Sequence, residues 1–286
     1  MPFVAAAIQM CSGTQPARNI DAMERLVREA ASQGATYVQT PEMTGALVRD
    51  RAALKAMLKG EAEDPVVAAA RRLAVELGIH MHLGSTAIAV EDGKVANRGI
   101  LFGPDGARIL AYDKIHMFDV DLDGGESWRE SATYRPGETA RIARTALGTL
   151  GFAICYDLRF PELFRRQAVA GAEVMTLPAA FTRQTGEAHW DVLVRARAIE
   201  NGAFVVAAAQ GGLHEDGRET FGHSMIVDPW GRVLASAGGI GEAVVLAEID
   251  TGAVQAARAK IPNLRNARAF ALEDVEAPRP TGEAAA

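Results

Sequence analysis

Cysteine is nearly absent: 286 residues hold two, Cys11 and Cys155. Two do not make a disulfide framework, so both are expected to be reduced thiols. An excess of positive charge is also lacking. With 30 Lys and Arg against 36 Asp and Glu, the net charge is −6, without the basic footprint that a phosphate backbone demands. Nucleic acid is not an expected partner. Long uncharged apolar runs are missing as well, and the opening "MPFVAAAIQM" has neither a basic lead nor a convincing cleavage site. The expectation is a soluble, cytoplasmic chain with no membrane partner. Six histidines include His80-x-His82, which on a strand would share one face as metal ligands do, but no nearby carboxylate or cysteine completes a set. No metal is expected.

Apolar residues are what the chain has in quantity. At 49% hydrophobic it can bury a full core, and with no internal repeat or linker residues 1–272 read as one domain. The closing "EDVEAPRPTGEAAA" (273–286) reads as a solvated tail.

"FVAAAIQM" (3–10) has the composition of a buried strand, "NIDAMERLVREAASQG" that of an amphipathic helix ending at Gly34, and "TYVQTPE" (36–42) that of a second strand. Asp64 before Pro65 predicts an N-cap and first helical residue, with closure at Gly78. Between 79 and 113, three strand-like runs separated by "EDG" and "PDG" predict hairpins, so the sheet is not purely parallel. After an irregular stretch (114–138), alternation resumes through "GTLGFAI", "PELFRRQAVAGA", "EVMTLP", "HWDVLVRARAIENG" and "AFVVAAA". A final meander turns at Pro229-Trp230-Gly231. Apolar strands with recurring helices predict a layered α/β fold.

Three strand ends carry candidate chemistry. Cys155 follows "GTLGFAI" and precedes "YDLRFPEL", a strand-to-helix turn where a thiol would be exposed near backbone N–H groups able to hold an oxyanion. A buried structural cysteine is the competing reading, and spacing alone does not decide. Glu42 ends a second strand, as a base or as a turn residue. Lys114 ends a third, as a charge stabiliser or as a solvated end residue. Together they are the set needed for base-assisted nucleophilic attack. A cysteine–histidine pair using His189 or His223 is the alternative, although it leaves Glu42 and Lys114 unexplained.

"TPE" (40–42), "YDKIHMFDVD" (112–121), "ESATYRPG" (130–137) and "AICYDLRFPEL" (153–163) resemble the motif blocks of the nitrilase superfamily of carbon–nitrogen hydrolases. The likeness continues through "AFTRQTGEAHWDVLVRARAIEN" and "GHSMIVDPWGRVLASAG" and spans roughly residues 4–265. It implies a four-layer αββα sandwich with two mixed sheets, subunits paired through their sheet-covering helices as a homodimer or larger homo-oligomer, and no cofactor. It implies Cys155 as nucleophile, Glu42 as general base and acid, Lys114 as the cation facing the tetrahedral intermediate, and the Tyr156 backbone N–H as oxyanion donor. The family's second glutamate matches Glu130, with Glu126 the competing assignment.

Within the family the chain resembles Nit-type amidases, more those acting on deaminated glutathione than the ω-amidases acting on α-ketoglutaramate. A small amide bearing a carboxylate is therefore the implied substrate, and relatives' pocket residues match Arg159, Phe181 and Thr185. Arginine suits a carboxylate because its planar fork donates two hydrogen bonds. Arg183 is a weaker candidate for that role, and an internal salt bridge is Arg159's competing one. His223 reads as structural, Trp190 with Val192, Leu193, Ala196 and Ile199 as packing, and "AAAQGGLHEDGRETFGHS" (207–224) as either a substrate-covering loop or a plain hairpin.

Overall fold

The computed structural model describes residues 2–125 and 127–276. The first half contains β1 (Phe3–Gln9), α1 (Pro16–Ser32), β2 (Tyr37–Gln39), α2 (Arg51–Met57), α3 (Pro65–Leu77), β3 (His80–Ala89), β4 (Val95–Phe102) and β5 (Arg108–Asp113). A short hairpin, β6 (Asp119–Asp121) and β7 (Ser127–Arg129), leads into β8 (Ile142–Thr145), β9 (Gly148–Phe152), α4 (Pro161–Val169) and β10 (Val174–Thr176). Then come α5 (Arg183–Asn201), β11 (Phe204–Ala207), the hairpin β12 (Gly211–Leu213) and β13 (Glu219–Phe221), β14 (Met225–Val227), β15 (Val233–Ser236), β16 (Ala243–Ile249) and α6 (Gly252–Lys260).

Among the described residues, twelve strands form two mixed sheets, in the orders β16-β1-β2-β3-β4-β5 and β15-β14-β11-β10-β9-β8. β1, β2 and β3 run parallel, as do β9, β10 and β11, while the flanking strands pair antiparallel. Strand alternation sorts the side chains into layers. Ala5 and Ala7 of β1 join the buried cluster that holds Leu150, Phe152 and Val174 of the second sheet, whereas Ala6 and Ile8 pack with Met23, Leu26, Ala70 and Leu73 of α1 and α3. Trp190, Val194 and Ala198 of α5 cover the second sheet. The result is the αββα sandwich, with helices on both outer faces.

Local signals act as the residue chemistry requires. The Asp64 carboxylate accepts from the N–H groups of Val66 and Val67 at 2.9 Å, Pro65 occupies the first helical position, and Gly78 closes α3 at φ 64°. Other boundaries differ from expectation. α1 begins at Pro16 rather than Asn19, and α5 begins at Arg183 rather than near His189, because Thr182 caps it by accepting from Thr185 N. Glycine at position 186, inside that helix, leaves room for Phe221, which would crowd any Cβ.

The stretch expected to be irregular holds the β6–β7 hairpin, whose charged residues hide its strand period. Val192 and Ile199 are 66% and 53% exposed, so they do not pack as expected; the buried face of α5 is set by Trp190, Val194, Arg197 and Ala198. His82 lies between the sheets, joined to the Tyr37 hydroxyl at 2.9 Å and edge-on to Phe152; burial depresses its pKa to about 3 and keeps it neutral. Among the described residues, no group of His, Cys, Asp and Glu could hold a metal, and no helix is long and apolar enough to cross a membrane. Residues 273–276 are exposed and without secondary structure; the remainder of the expected tail lies outside the described residues.

Candidate active site

β2 ends at Gln39, and the chain turns through Thr40 and Pro41 to Glu42. That turn is locked against β3: Thr40 N donates to His82 O at 3.0 Å, and Met43 N to the Ser85 hydroxyl at 3.0 Å. A Cβ at Gly84 would lie 1.9 Å from Thr40 O, so only glycine permits the approach. From the other half, Gln210 Nε2 donates to Glu42 O at 3.0 Å. Met43 takes a positive φ of 53°, a strained conformation directly after the carboxylate.

Lys114 follows β5 and is 2% exposed. Its backbone is pinned on both sides, donating to Asn97 O at 3.0 Å and accepting from Gly137 N at 2.7 Å. Nζ donates to Glu42 Oε1 at 2.9 Å and to Glu130 Oε2 and Oε1 at 2.9 and 3.1 Å. Asn97 Nδ2 spans both carboxylates, at 2.8 Å from Glu42 Oε1 and 3.3 Å from Glu130 Oε1, and Phe118 N donates to Glu130 Oε2 at 2.7 Å. Burial is the largest influence on Lys114 and opposes its charge, yet Glu130, Glu42 and Cys155 together outweigh it and hold the ammonium's pKa well above the ordinary value. Glu130 thus sits beside Lys114; Glu126 lies outside the described residues.

Cys155 starts the short 3-10 turn Cys155–Arg159 after β9, at φ 50°, with its N–H bonded to Pro178 O at 2.9 Å. The expectation of an exposed thiol is wrong: Cys155 is 7% exposed, because β9 delivers it to the floor of a cavity rather than its edge. Burial, then the negative charge of Glu42, pushes the thiol well above its ordinary pKa, and Lys114 and the Ala180 N–H pull back only in part. At neutral pH the thiol is protonated. Glu42 is the charge that raises its pKa most, which places a carboxylate beside the thiol.

Behind this turn, the buried Asp157 carboxylate accepts from Ile154 N at 2.8 Å, Tyr112 Oη at 2.7 Å and both His116 N and Nδ1 at 3.0 and 2.6 Å. Arg197 donates twice to Leu158 O, at 2.9 and 2.7 Å. These bonds brace the turn that carries the thiol.

The cavity is about 270 Å³, and Glu42, Lys114, Glu130, Cys155, Tyr156 and Trp128 are among its lining residues. Arg159, Phe181 and Thr185 line it too. The Arg159 guanidinium lies over the rings of Tyr156 and Phe181 at 5.9 and 5.4 Å and donates to His189 Nδ1 at 3.3 Å. Among the described residues no carboxylate pairs with it, so the internal salt bridge is not there. Arg183 is engaged with Glu187 and Glu219. His189 is occupied by Arg159 and His223 by Phe221 O at 2.7 Å; among the described residues neither is bonded to the Cys155 sulfur. The 207–224 segment forms the β12–β13 hairpin, and its Arg218, Glu219 and Thr220 wall the cavity.

Sequence reading overlooked Asn97, Asp157 and Gln210. Asn97 carries the clearest overlooked signal: a polar residue inside the apolar strand "VANRGILF" is out of place unless something buried needs its amide. Asp157 and Gln210 have no such mark, since each ties the site to groups distant in the chain.

Three ends at like edges of two facing sheets therefore join a carboxylate, an ammonium and a thiol. The sequence profile of the carbon–nitrogen hydrolases matches residues 4–259. The chain belongs to the carbon–nitrogen hydrolase family. It is a hydrolase of carbon–nitrogen bonds other than peptide bonds, a cysteine-dependent amidase of the nitrilase superfamily. A deaminated glutathione amidase from Yersinia enterocolitica is 38% identical over 266 residues, with 92% of each chain covered. The Homo sapiens protein of that name is 38% identical over 276 residues, covering 94% of this chain and 83% of the relative. In solved structures, the C. elegans NitFhit protein superposes with a TM-score of 0.85 at 33% identity, over 93% of this chain and 65% of that longer one. Saccharomyces cerevisiae Nit3, a branch 10 member of the nitrilase superfamily, gives 0.82 at 28% identity, over 91% and 94%.

Proposed function

We propose that this hydrolase cleaves deaminated glutathione to 2-oxoglutarate and cysteinylglycine, a metabolite-repair reaction, with Cys155, Glu42, Lys114 and Glu130 as its catalytic residues. The observation that carries the assignment is Lys114 Nζ within 2.9 Å of both Glu42 and Glu130, in the cavity that Cys155 also lines. Because the thiol rests protonated, Glu42 takes its proton as Sγ attacks the amide carbonyl. Lys114 and the Tyr156 backbone N–H, at the start of the turn where helical N–H groups lack intrahelical partners, face the oxyanion. Glu42 returns the proton to the departing amine as the C–N bond breaks. Water, deprotonated by Glu42, then cleaves the thioester and frees the acid. Glu130 and Asn97 keep Lys114 and Glu42 in place.

Arg159 would bind the 2-oxo acid's carboxylate, helped by Phe181 and Thr185, since it lines the cavity without a counter-ion among the described residues. Names of relatives from several organisms favour deaminated glutathione over α-ketoglutaramate. Turnover of both substrates by the purified protein tests this: a higher kcat/KM for deaminated glutathione is expected, with a 2-oxoglutaryl thioester on Cys155 detected by mass spectrometry. A higher kcat/KM for α-ketoglutaramate would overturn the substrate, and retained turnover in Cys155→Ala the mechanism.

We read residues 1–272 as one catalytic unit in a cytoplasmic homodimer or larger homo-oligomer. The exposed Val192 and Ile199 on the sheet-covering α5 support self-association. Sedimentation as a monomer at micromolar concentration would contradict it.

A further inference from the structure

The cavity has more positive charge near its rim than the acyl half of a substrate would use. Arg49, Arg51, Arg129, Arg159 and Arg218 all line it. Arg129 pairs with Asp121 at 2.8 Å and Arg218 with Asp216 at 3.0 Å. Among the described residues, Arg49, Arg51 and Arg159 have no carboxylate in ion-pair range. Arg49 is the exposed member with a fixed seat: its guanidinium carbon lies 5.3 Å over the Trp128 ring, which also carries Arg218 at 4.8 Å. Stacking on an aromatic face fixes a guanidinium while leaving its N–H edge free for an anion.

A row of rings links this seat to the nucleophile turn. Trp128 is 6.4 Å from Phe118, Phe118 is 5.1 Å from Tyr156, and Arg159 lies over Tyr156 at 5.9 Å. Two guanidinium groups without a carboxylate partner among the described residues thus stand at opposite ends of a short aromatic wall. Arg159, four residues after Cys155, serves the acyl half. We propose that Arg49, seated on Trp128, determines specificity for the leaving half by binding a carboxylate at the far end of the departing amine.

This rests on the thiol-amidase reading above, and it makes that reading more specific. A substrate that releases ammonia places nothing at the rim and leaves Arg49 unused. One that releases a peptide with a free C-terminal carboxylate meets a positive pole at each end. The preference for deaminated glutathione over α-ketoglutaramate would then come from a residue remote from the reacting atoms, which both substrates share. Arg218 is a lesser contributor because Asp216 already offsets its charge.

The experiment compares kcat/KM for deaminated glutathione, for the same compound with its glycine carboxylate amidated, and for α-ketoglutaramate, in the wild type and in Arg49→Ala. Removing a charge-assisted hydrogen bond at a partly exposed site corresponds to roughly tenfold to hundredfold. Arg49→Ala should lower the ratio of the deaminated glutathione constant to the α-ketoglutaramate constant by that factor, mostly through KM. Amidation should cost the wild type a similar factor and cost Arg49→Ala little more. If the wild type cleaves the free acid and its amide equally well, or if Arg49→Ala slows both natural substrates alike, this inference falls while the amidase reading stands. If the wild type cleaves none of them, the reading falls and takes the inference with it. The amidated substrate needs no variant, so the inference remains testable should Arg49→Ala fold poorly.

Discussion

Lys114 and Arg49 line the same cavity, yet Lys114 is 2% exposed between two carboxylates while Arg49 lies exposed over a tryptophan with no carboxylate in ion-pair range among the described residues. Removing a charge from water is costly unless partners replace the lost solvation, so the inner end must be compensated before any substrate arrives. Glu42, Glu130 and Asn97 meet that need and fix donor and acceptor directions in advance, which is what electrostatic catalysis requires. Arg49 remains hydrated and needs no counter-ion until one is delivered. On the proposed reading, internal pairing marks the chemistry and its absence marks recognition.

Removing each cation in turn separates the two ends most. Lys114→Met leaves two carboxylates buried without their shared partner, and breaking a buried pair costs about 3–5 kcal/mol. Urea unfolding should show a loss of that order, and, with Lys114 facing the oxyanion as proposed, turnover should fall by roughly a thousandfold or more. Arg49→Met should change unfolding free energy by less than about 0.5 kcal/mol, as for a surface substitution away from any network. Equal stability effects in the two variants would show that Lys114 is not held as its distances indicate.

The two ends also differ in how far the sequence reveals them. Cys155, Glu42 and Lys114 can be read because each ends a recognisable apolar strand, and motif blocks surround each. The layers are readable for the same reason: the apolar runs of β1, β9 and β11 are too continuous for a one-sided sheet. Asp157 and Gln210 escape notice because the partners that tie them to the site, Tyr112 and His116 for one and Glu42 for the other, lie 41–45 and 168 residues away, and such distances leave no local trace. Burial of Cys155 is missed for a related reason. A strand end is a surface position in one sheet, but two facing sheets turn it into a cavity floor. Val192 and Ile199 fail differently, since helical spacing gives a stripe without saying which stripe faces inward.

The subtler test concerns the thiol itself. In the unfolded chain Cys155 would titrate near the ordinary value of about 8.5. In the folded protein burial and Glu42 raise it well above that. The folded state then keeps a proton that the unfolded state gives up, so the stability from this group is full below about pH 8.5 and is lost as pH rises through the folded value. Glu42→Gln removes the largest raising charge and frees Lys114 from one carboxylate, and both changes act downward on the thiol. Alkylation of Cys155 by iodoacetamide, followed peptide by peptide against Cys11 as pH is varied, should show a midpoint in Glu42→Gln displaced to lower pH than in the wild type. The displacement must be a shift of midpoint, because loss of a general base would alter the plateau rate alone. An unchanged or higher midpoint would mean that Glu42 does not face the sulfur, and the resting thiol would then owe its proton to burial alone.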